Sequence, residues 1–278
     1  MGLCQAQLGR VTVGDCKAVA VMGIINLDPH SFYQSSYFAS LKEALSAAEM
    51  MIEEGVDIID IGGISTAPGS PDVSVETEKR RVATIIRQIA ENWEVPISID
   101  TQRVPVVQIA IRNGATIVND VSGLKNDPDM AKTIQDSGVS CVLMAARNRP
   151  GDRETLPEII EALQESLQIA LSEGIPSNHI VVDPGIGFGK PFEYDLEILR
   201  NLEQLRALEQ PILLGVSRKH FIGEVLGYSS PRDRLYGTLV TLAIALQKGV
   251  DVVRAHDIRA TRDCVKMVNA LQSSQGSE

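Results

Sequence analysis

No run of eighteen or more apolar residues occurs in the sequence, and the N-terminus lacks the charged-then-apolar pattern of a secretory signal. A membrane protein is therefore not expected, and a cytoplasmic one is. Positive charge is the minority: 26 Lys and Arg stand against 36 Asp and Glu, a formal net charge of −10, with no basic run to override it locally. A polyphosphate backbone would be repelled, so nucleic acid is not an expected partner. Cysteine is scarce and scattered. Cys4, Cys16, Cys141 and Cys264 show neither C-x-x-C nor zinc-ligand spacing, which suits a reducing compartment. No Pro/Gly/Ser linker divides the chain, so its 278 residues are read as one domain, 1–278, with a core over about 18–272. At 44% hydrophobic and 22% charged, the composition is that of an ordinary globular protein.

Past the first dozen residues, short apolar runs alternate with helical periodicity. The runs are AVAVMGI (18–24), DIIDI (57–61), PISI (96–99), ATIV (115–118), VSCVLM (139–144), HIVV (179–182), PILLG (211–215) and DVVRA (251–255). Ser40 and Glu43 form a capping-box pattern at the start of a first helix, which Gly55 should end. Further helices are predicted near 75–91, 104–112, 128–137, 155–173, 194–206, 231–248 and 258–272. Alternation of this kind implies parallel strands, and continuously apolar strands imply cover on both faces. Eight such units predict an α/β fold, a (β/α)8 TIM barrel, with a doubly wound sheet as the alternative. VTVGDCKAV, with Gly14-Asp15 at its centre, predicts a short N-terminal hairpin covering the barrel floor.

Function in such a barrel sits at the C-terminal strand ends. Just past the apolar runs stand Asn26, Asp60, Asp100 with Thr101, Asn119 with Asp120, Asp183, Ser217 with Arg218 and Lys219, and Arg254 with His256. A single polar residue there is commonly a turn former or helix cap, and Asp120 and Thr101 could be no more than that. The recurrence at seven of the eight strands is what points to a site. Asp100, Asn119 and Asp183 could converge to offer acceptors and an amide, a set suited to a heterocycle with a guanidine-like edge, as in a pterin. Arg254, His256, Lys219 and Arg218 would supply positive charge for an anionic leaving group, and Asn26 an amide oxygen for magnesium. DPGIGFGKP at 183–191 is not a phosphate loop, because Pro184 and Pro191 stand where that pattern needs Gly and Ser or Thr. His179 and His220 are read as structural, and Met50 and Met51 as helix packing.

MGIINLDPHSF (22–32), DIGGISTAPG (60–69), SIDT (98–101), NDVSG (119–123), DPGIGFGK (183–190), GVSRKHFIG (215–223) and RAHD (254–257), in that order, resemble dihydropteroate synthase, a pterin-binding TIM-barrel family. The resemblance runs from about residue 18 to 262. It implies a transferase that joins 6-hydroxymethyl-7,8-dihydropterin diphosphate to an arylamine, normally 4-aminobenzoate, and releases pyrophosphate in folate or methanopterin-type biosynthesis. It further implies that Asp100, Asn119, Met144, Asp183 and Lys219 hold the pterin. Asn26 would bind Mg²⁺ and diphosphate, and Arg254 and His256 the diphosphate. Thr66, Pro68, Phe188 and Lys219 would border the arylamine, and a homodimer is implied. Lys219, Arg254 and His256 would carry the reaction.

The chain departs from this family's pattern in several loops. Ala67 stands in S-T-A-P-G where the family has an arginine, and losing that charge-assisted contact would cost about 1.5–3 kcal/mol unless replaced. Asp28-Pro29-His30 replaces T-P-D, Met144-Ala145 replaces M-H, and His220 replaces a serine after Lys219. These changes suggest a branch resembling archaeal members, with Arg147 or Arg149 compensating for Ala67 or meeting a larger arylamine. Two other readings stay open: a corrinoid-dependent methyltransferase acting on methyl-tetrahydropterin, and a non-catalytic pterin-binding protein.

Overall fold

The computed structural model describes residues 4–28, 38, 40–64 and 73–273. Two strands, β1 (Gln5–Leu8) and β2 (Val11–Gly14), pair antiparallel, with Leu8 opposite Val11. Eight parallel strands follow: β3 (Ala20–Asn26), β4 (Ile58–Gly62), β5 (Ile97–Asp100), β6 (Ile117–Asp120), β7 (Ser140–Met144), β8 (Ile180–Asp183), β9 (Leu213–Leu214) and β10 (Val252–Ala255). Their order is β8-β7-β6-β5-β4-β3-β10-β9, and a bridge between Val182 and Ile212 brings the two ends together. The predicted barrel is what forms.

Nine α-helices lie among the described residues: α1 (Leu41–Glu53), α2 (Val75–Asn92), α3 (Val104–Arg112), α4 (Met130–Ser137), α5 (Leu156–Glu173), α6 (Phe192–Arg200), α7 (His220–Leu226), α8 (Leu235–Gln247) and α9 (Ile258–Ser273). The Ser40 side chain accepts from the Glu43 amide at the start of α1, and Gly55 follows its end with a positive φ of 86°. The helix expected over 194–206 stops at Arg200 and continues as a 3₁₀ stretch, Leu202–Leu208. A similar stretch, Pro231–Arg234, precedes α8. Helix α7 has no counterpart in the sequence reading. It is one short element interrupted by Gly223, which shows no amphipathic period. A Cβ on Gly223 would lie 2.5 Å from the Tyr228 carbonyl and 2.7 Å from the Arg234 guanidinium, so the close approach requires glycine.

The hairpin is displaced from its expected position. Its turn is Gly9-Arg10, with Gly9 at φ 58°, whereas Gly14 closes the second strand. Asp15 instead accepts from the Cys4 amide. The hairpin does cover the floor: Ala6, Leu8 and Val13 pack on Met22, Ile58, Ile117, Val142, Val181, Leu213 and Val252, the innermost layer of the barrel. The alternate strand residues, such as Ile59, Ile61, Ile97, Ile99 and Val182, face the helices in a second, larger core. Side chains on a strand alternate between faces, so one strand feeds both cores.

Candidate active site

The same alternation builds the site. Two residues beyond the innermost layer, the inward positions become Asp60, Asn119, Met144, Asp183, Gly215 and Arg254. Asn26, Gly62, Asp100 and Asn119 are neighbours across four strands by register, as are Met144 and Asp183. The strands therefore run on past their apolar stretches. Asn26, Asp100, Asn119 and Asp183 belong to the strands themselves, because the backbone ladder continues where the side-chain pattern turns polar.

Arg254 is held between two carboxylates. Its Nε donates to Asp60 Oδ2 at 2.7 Å and its Nη2 to Asp100 Oδ2 at 3.0 Å. Asn119 Nδ2 donates to the same Asp60 oxygen at 3.2 Å. The other oxygens, Asp60 Oδ1 and Asp100 Oδ1, are buried with no protein partner. Burial raises Asp100 to about 7 against the opposing pull of Arg254. Burial works against the Arg254 charge, but Asp60 and Asp100 outweigh it and hold its pKa above the usual arginine value. Burial also raises Asp183, opposed by Lys219.

Lys219 and Phe188 face each other, the ammonium 4.6 Å from the ring centroid. Lys219 also donates to the Ile186 carbonyl. Burial lowers it to about 8, with Asp183 opposing and Arg254 adding to the effect. The loop carrying Ile186 and Phe188 turns on Gly185, Gly187 and Gly189, at φ 71°, 75° and 94°. Asp183 accepts from the Gly185 amide at 2.8 Å, and Asp195 from the Gly187 amide at 3.0 Å. The buried Lys190 donates to the Gly185 carbonyl and pairs with Asp195 at 3.3 Å. Lys190 and Asp195 were not singled out from the sequence. A buried lysine five residues from a buried aspartate is invisible where the local pattern reads as a polar loop and a helix start.

Two expected sources of positive charge are corrected. Arg218 is turned into the protein: it makes two bonds to Asp257, at 2.7 and 2.8 Å, and donates to the Pro231 and Arg232 carbonyls. That fork braces the start of α8, so Arg218 does not supply the site's charge. His256 stands at the site but is neutral at pH 7, because burial and then Arg254 lower it to about 3. Its Nδ1 lies 2.9 Å from Ser217 Oγ. Met144 is buried at the end of β7, and a Cβ on Gly185 would lie 3.2 Å from its sulfur. Asn26 is half-buried, its Oδ1 next to Gly62. Thr66, Ala67, Pro68 and His30 lie outside the described residues.

Asp120 and Thr101 are structural. Asp120 accepts from Ser122 and Leu124 in a tight turn, and Thr101 bonds the buried Glu78 at 2.6 Å. His220 is exposed on α7 beside Glu224, while His179 ends a short 3₁₀ turn before β8. Among the described residues no group of three His, Cys, Asp or Glu could hold a metal ion.

The pterin binding enzyme family matches residues 22–256. Dihydropteroate synthase of Bacillus subtilis is 41% identical over 256 residues, covering 92% of this chain and 90% of that one. This chain belongs to the dihydropteroate synthase family. Among solved members, the Clostridium difficile enzyme in the presence of pteroic acid aligns with a TM-score of 0.85 at 39% identity, covering 92% of this chain and 97% of that one. The Xanthomonas albilineans enzyme with 4-aminobenzoic acid aligns at 0.87 and 32% identity over all of both chains. All three are bacterial, so the archaeal-type branch inferred from the loop departures finds no support. Those departures occupy a few loop positions, whereas the identity to bacterial members runs through the whole chain.

Proposed function

We propose that the protein condenses 6-hydroxymethyl-7,8-dihydropterin diphosphate with 4-aminobenzoate, forming dihydropteroate and pyrophosphate. The observation that carries this reading is the placement of Arg254 against Asp100, 3.0 Å apart, beside Asn119 and Asp183. One buried end of the site accepts hydrogen bonds and the adjoining position bears a cation, matching a ring with a donor edge and an anionic tail. In this reading Asp100, Asn119, Asp183, Met144 and Lys219 hold the pterin. Asn26, Arg254 and His256 hold the diphosphate. Phe188 and Lys219, with Thr66 and Pro68, border the arylamine.

The amine nitrogen forms a bond to the pterin methylene carbon as the C–O bond breaks, and the diphosphate leaves with the electron pair. The nitrogen then gives up a proton to solvent. Arg254 stabilises the charge that develops on the leaving oxygen, in a buried site where a fixed cation acts strongly. The shelf of Phe188 and Lys219 positions the amine. His256, neutral in the free protein, has its ring oriented by the contact between its Nδ1 and Ser217 Oγ and offers the diphosphate a hydrogen bond.

Magnesium fits as an ion that arrives with the diphosphate. A half-buried amide oxygen, Asn26 Oδ1, stands beside Gly62, which is in register with Asp100, and Mg²⁺ is commonly held by few protein ligands plus phosphate oxygens. When bound, it neutralises part of the diphosphate charge.

A homodimer is supported by an apolar face on the outer helices, away from the strand ends. Tyr236, Val240 and Ile244 recur every fourth residue on α8, Met267 and Leu271 do so on α9, and all are exposed. The four thiols are free, which suits a reducing cytoplasm.

The test is pyrophosphate release from the pterin diphosphate with Mg²⁺, comparing 4-aminobenzoate, a ribosylated aminobenzene phosphate and no amine. Release that depends on 4-aminobenzoate is expected. Release with the ribosylated amine alone would move the enzyme to methanopterin-type synthesis. No release, with pterin still bound, would favour a methyltransferase or a binding protein.

A further inference from the structure

Asp60 is the most enclosed carboxylate of the site, fully buried in the middle of β4, and sequence reasoning gave it no role. A single oxygen of Asp60 accepts from both Arg254 Nε, at 2.7 Å, and Asn119 Nδ2, at 3.2 Å. Arg254 reaches Asp100 with its Nη2 at 3.0 Å, and Asp100 is in register with Asn119 on the next strand. The side chains therefore form a chain, Asn119–Asp60–Arg254–Asp100, in which Asp60 is the one member linked to both an amide and the guanidinium. Arginine has several rotatable bonds. Its Nε is fixed by Asp60 while Nη2 meets Asp100, so the guanidinium plane is set before any ligand arrives.

We propose that Asp60 is a positioning residue that couples the two halves of the substrate site, aligning Asn119 for the heterocycle and Arg254 for the diphosphate through one oxygen. This rests on the reading of the site as one for a pterin diphosphate. Asp60 acts through its partners. Without its charge, Arg254 would be held by Asp100 alone, and its guanidinium plane would no longer be fixed at two points. Asp100 would also lose the proton-retaining influence of a neighbouring carboxylate, which with burial holds it near 7.

The experiment compares Asp60→Asn with the parent protein in steady-state kinetics across pH, and in thermal unfolding with and without inorganic pyrophosphate. The expected result is a loss of roughly tenfold to a hundredfold in kcat/KM for the pterin diphosphate, with KM for 4-aminobenzoate within about twofold. The acid limb of the pH profile should move to lower pH, and the stabilisation by pyrophosphate should shrink. Asp60→Ser, which returns the two donors to a smaller acceptor, is expected to behave likewise. Ser98→Ala is the control: Ser98 lies opposite Asp60 on β5, is buried, and its hydroxyl has no partner, so parent-like kinetics are expected. Parent-like KM values and pH profile in Asp60→Asn would overturn the assignment, as would an equal loss in Ser98→Ala or failure of both Asp60 variants to fold. A parent protein that releases no pyrophosphate with any amine would instead overturn the proposed function.

Discussion

The Lys219 ammonium rests over the Phe188 ring while donating to the Ile186 carbonyl, so the lysine and the glycine-rich loop after β8 form one unit. A Cβ on Gly187 would lie 2.5 Å from Lys219 Cδ, and Gly187 has a φ of 75° that other residues rarely adopt. Gly187→Ala is expected to displace Lys219 and reduce kcat/KM by roughly tenfold or more, while circular dichroism stays that of the parent. Unchanged kinetics in a folded variant would separate the loop from Lys219.

Lys219 also sets a pH dependence of stability. Burial lowers it from 10.5 to about 8, so between those values the native state holds fewer protons than the unfolded chain. Its contribution is present above about 10.5 and is lost as pH falls through about 8. Thermal midpoints of the parent and of Lys219→Met, measured in steps from pH 7.5 to 10.5, should differ in the variant's favour by an amount that shrinks as pH rises. A constant difference would contradict the lowered pKa.

Arg254→Met leaves Asp60 and Asp100 buried together without their cation. Removal of one partner from a buried ion pair typically destabilises by about 3–5 kcal/mol. Urea unfolding should show a loss of that order near pH 8 and a smaller one near pH 5, where Asp100, already raised to about 7, takes up a proton. Pyrophosphate should no longer raise the thermal midpoint. Equal losses at both pH values would contradict the coupling between these groups.

The N-terminal hairpin is a structural plug. Leu8 is fully buried beneath the innermost barrel layer, so Leu8→Ala is expected to lower stability by about 2–5 kcal/mol with kcat unchanged. Urea unfolding and steady-state rates check both halves of that statement.

The basic loop after β7 packs beside Phe188, which we propose borders the arylamine. Asp152 accepts from the amides of Arg147, Asn148 and Arg149, and Gly151 packs so tightly on the Phe188 backbone that a Cβ there would overlap it. Arg147 and Arg149 are exposed on this loop. Replacing both with Ala is expected to raise KM for 4-aminobenzoate severalfold and to leave KM for the pterin diphosphate unaltered. An unaltered KM for the amine would make them solvated loop charges.

Much of this architecture was legible because period and polarity change together. Asp100, Asn119, Asp183 and Arg254 stand out as polar groups at the ends of buried strands, and the barrel follows from eight repeats. The roles of Arg218 and His256 were not legible, since both depend on what surrounds them: Asp257 captures one, and burial beside Arg254 discharges the other. Asp60 was visible as a polar strand residue, but its links to Asn119 and Arg254 join positions far apart in the chain. The hairpin turn was misplaced because both Gly9 and Gly14 adopt positive φ, and only the pairing of Leu8 with Val11 decides between them.

The most direct test of the account is simultaneous measurement of pyrophosphate and dihydropteroate from the pterin diphosphate, 4-aminobenzoate and Mg²⁺, in the parent and in Asp183→Asn. Equal amounts of the two products are expected from the parent, and a marked loss of both from the variant. Pyrophosphate without dihydropteroate, or equal turnover by the variant, would contradict a site that holds the pterin on Asp183 while the amine displaces the diphosphate.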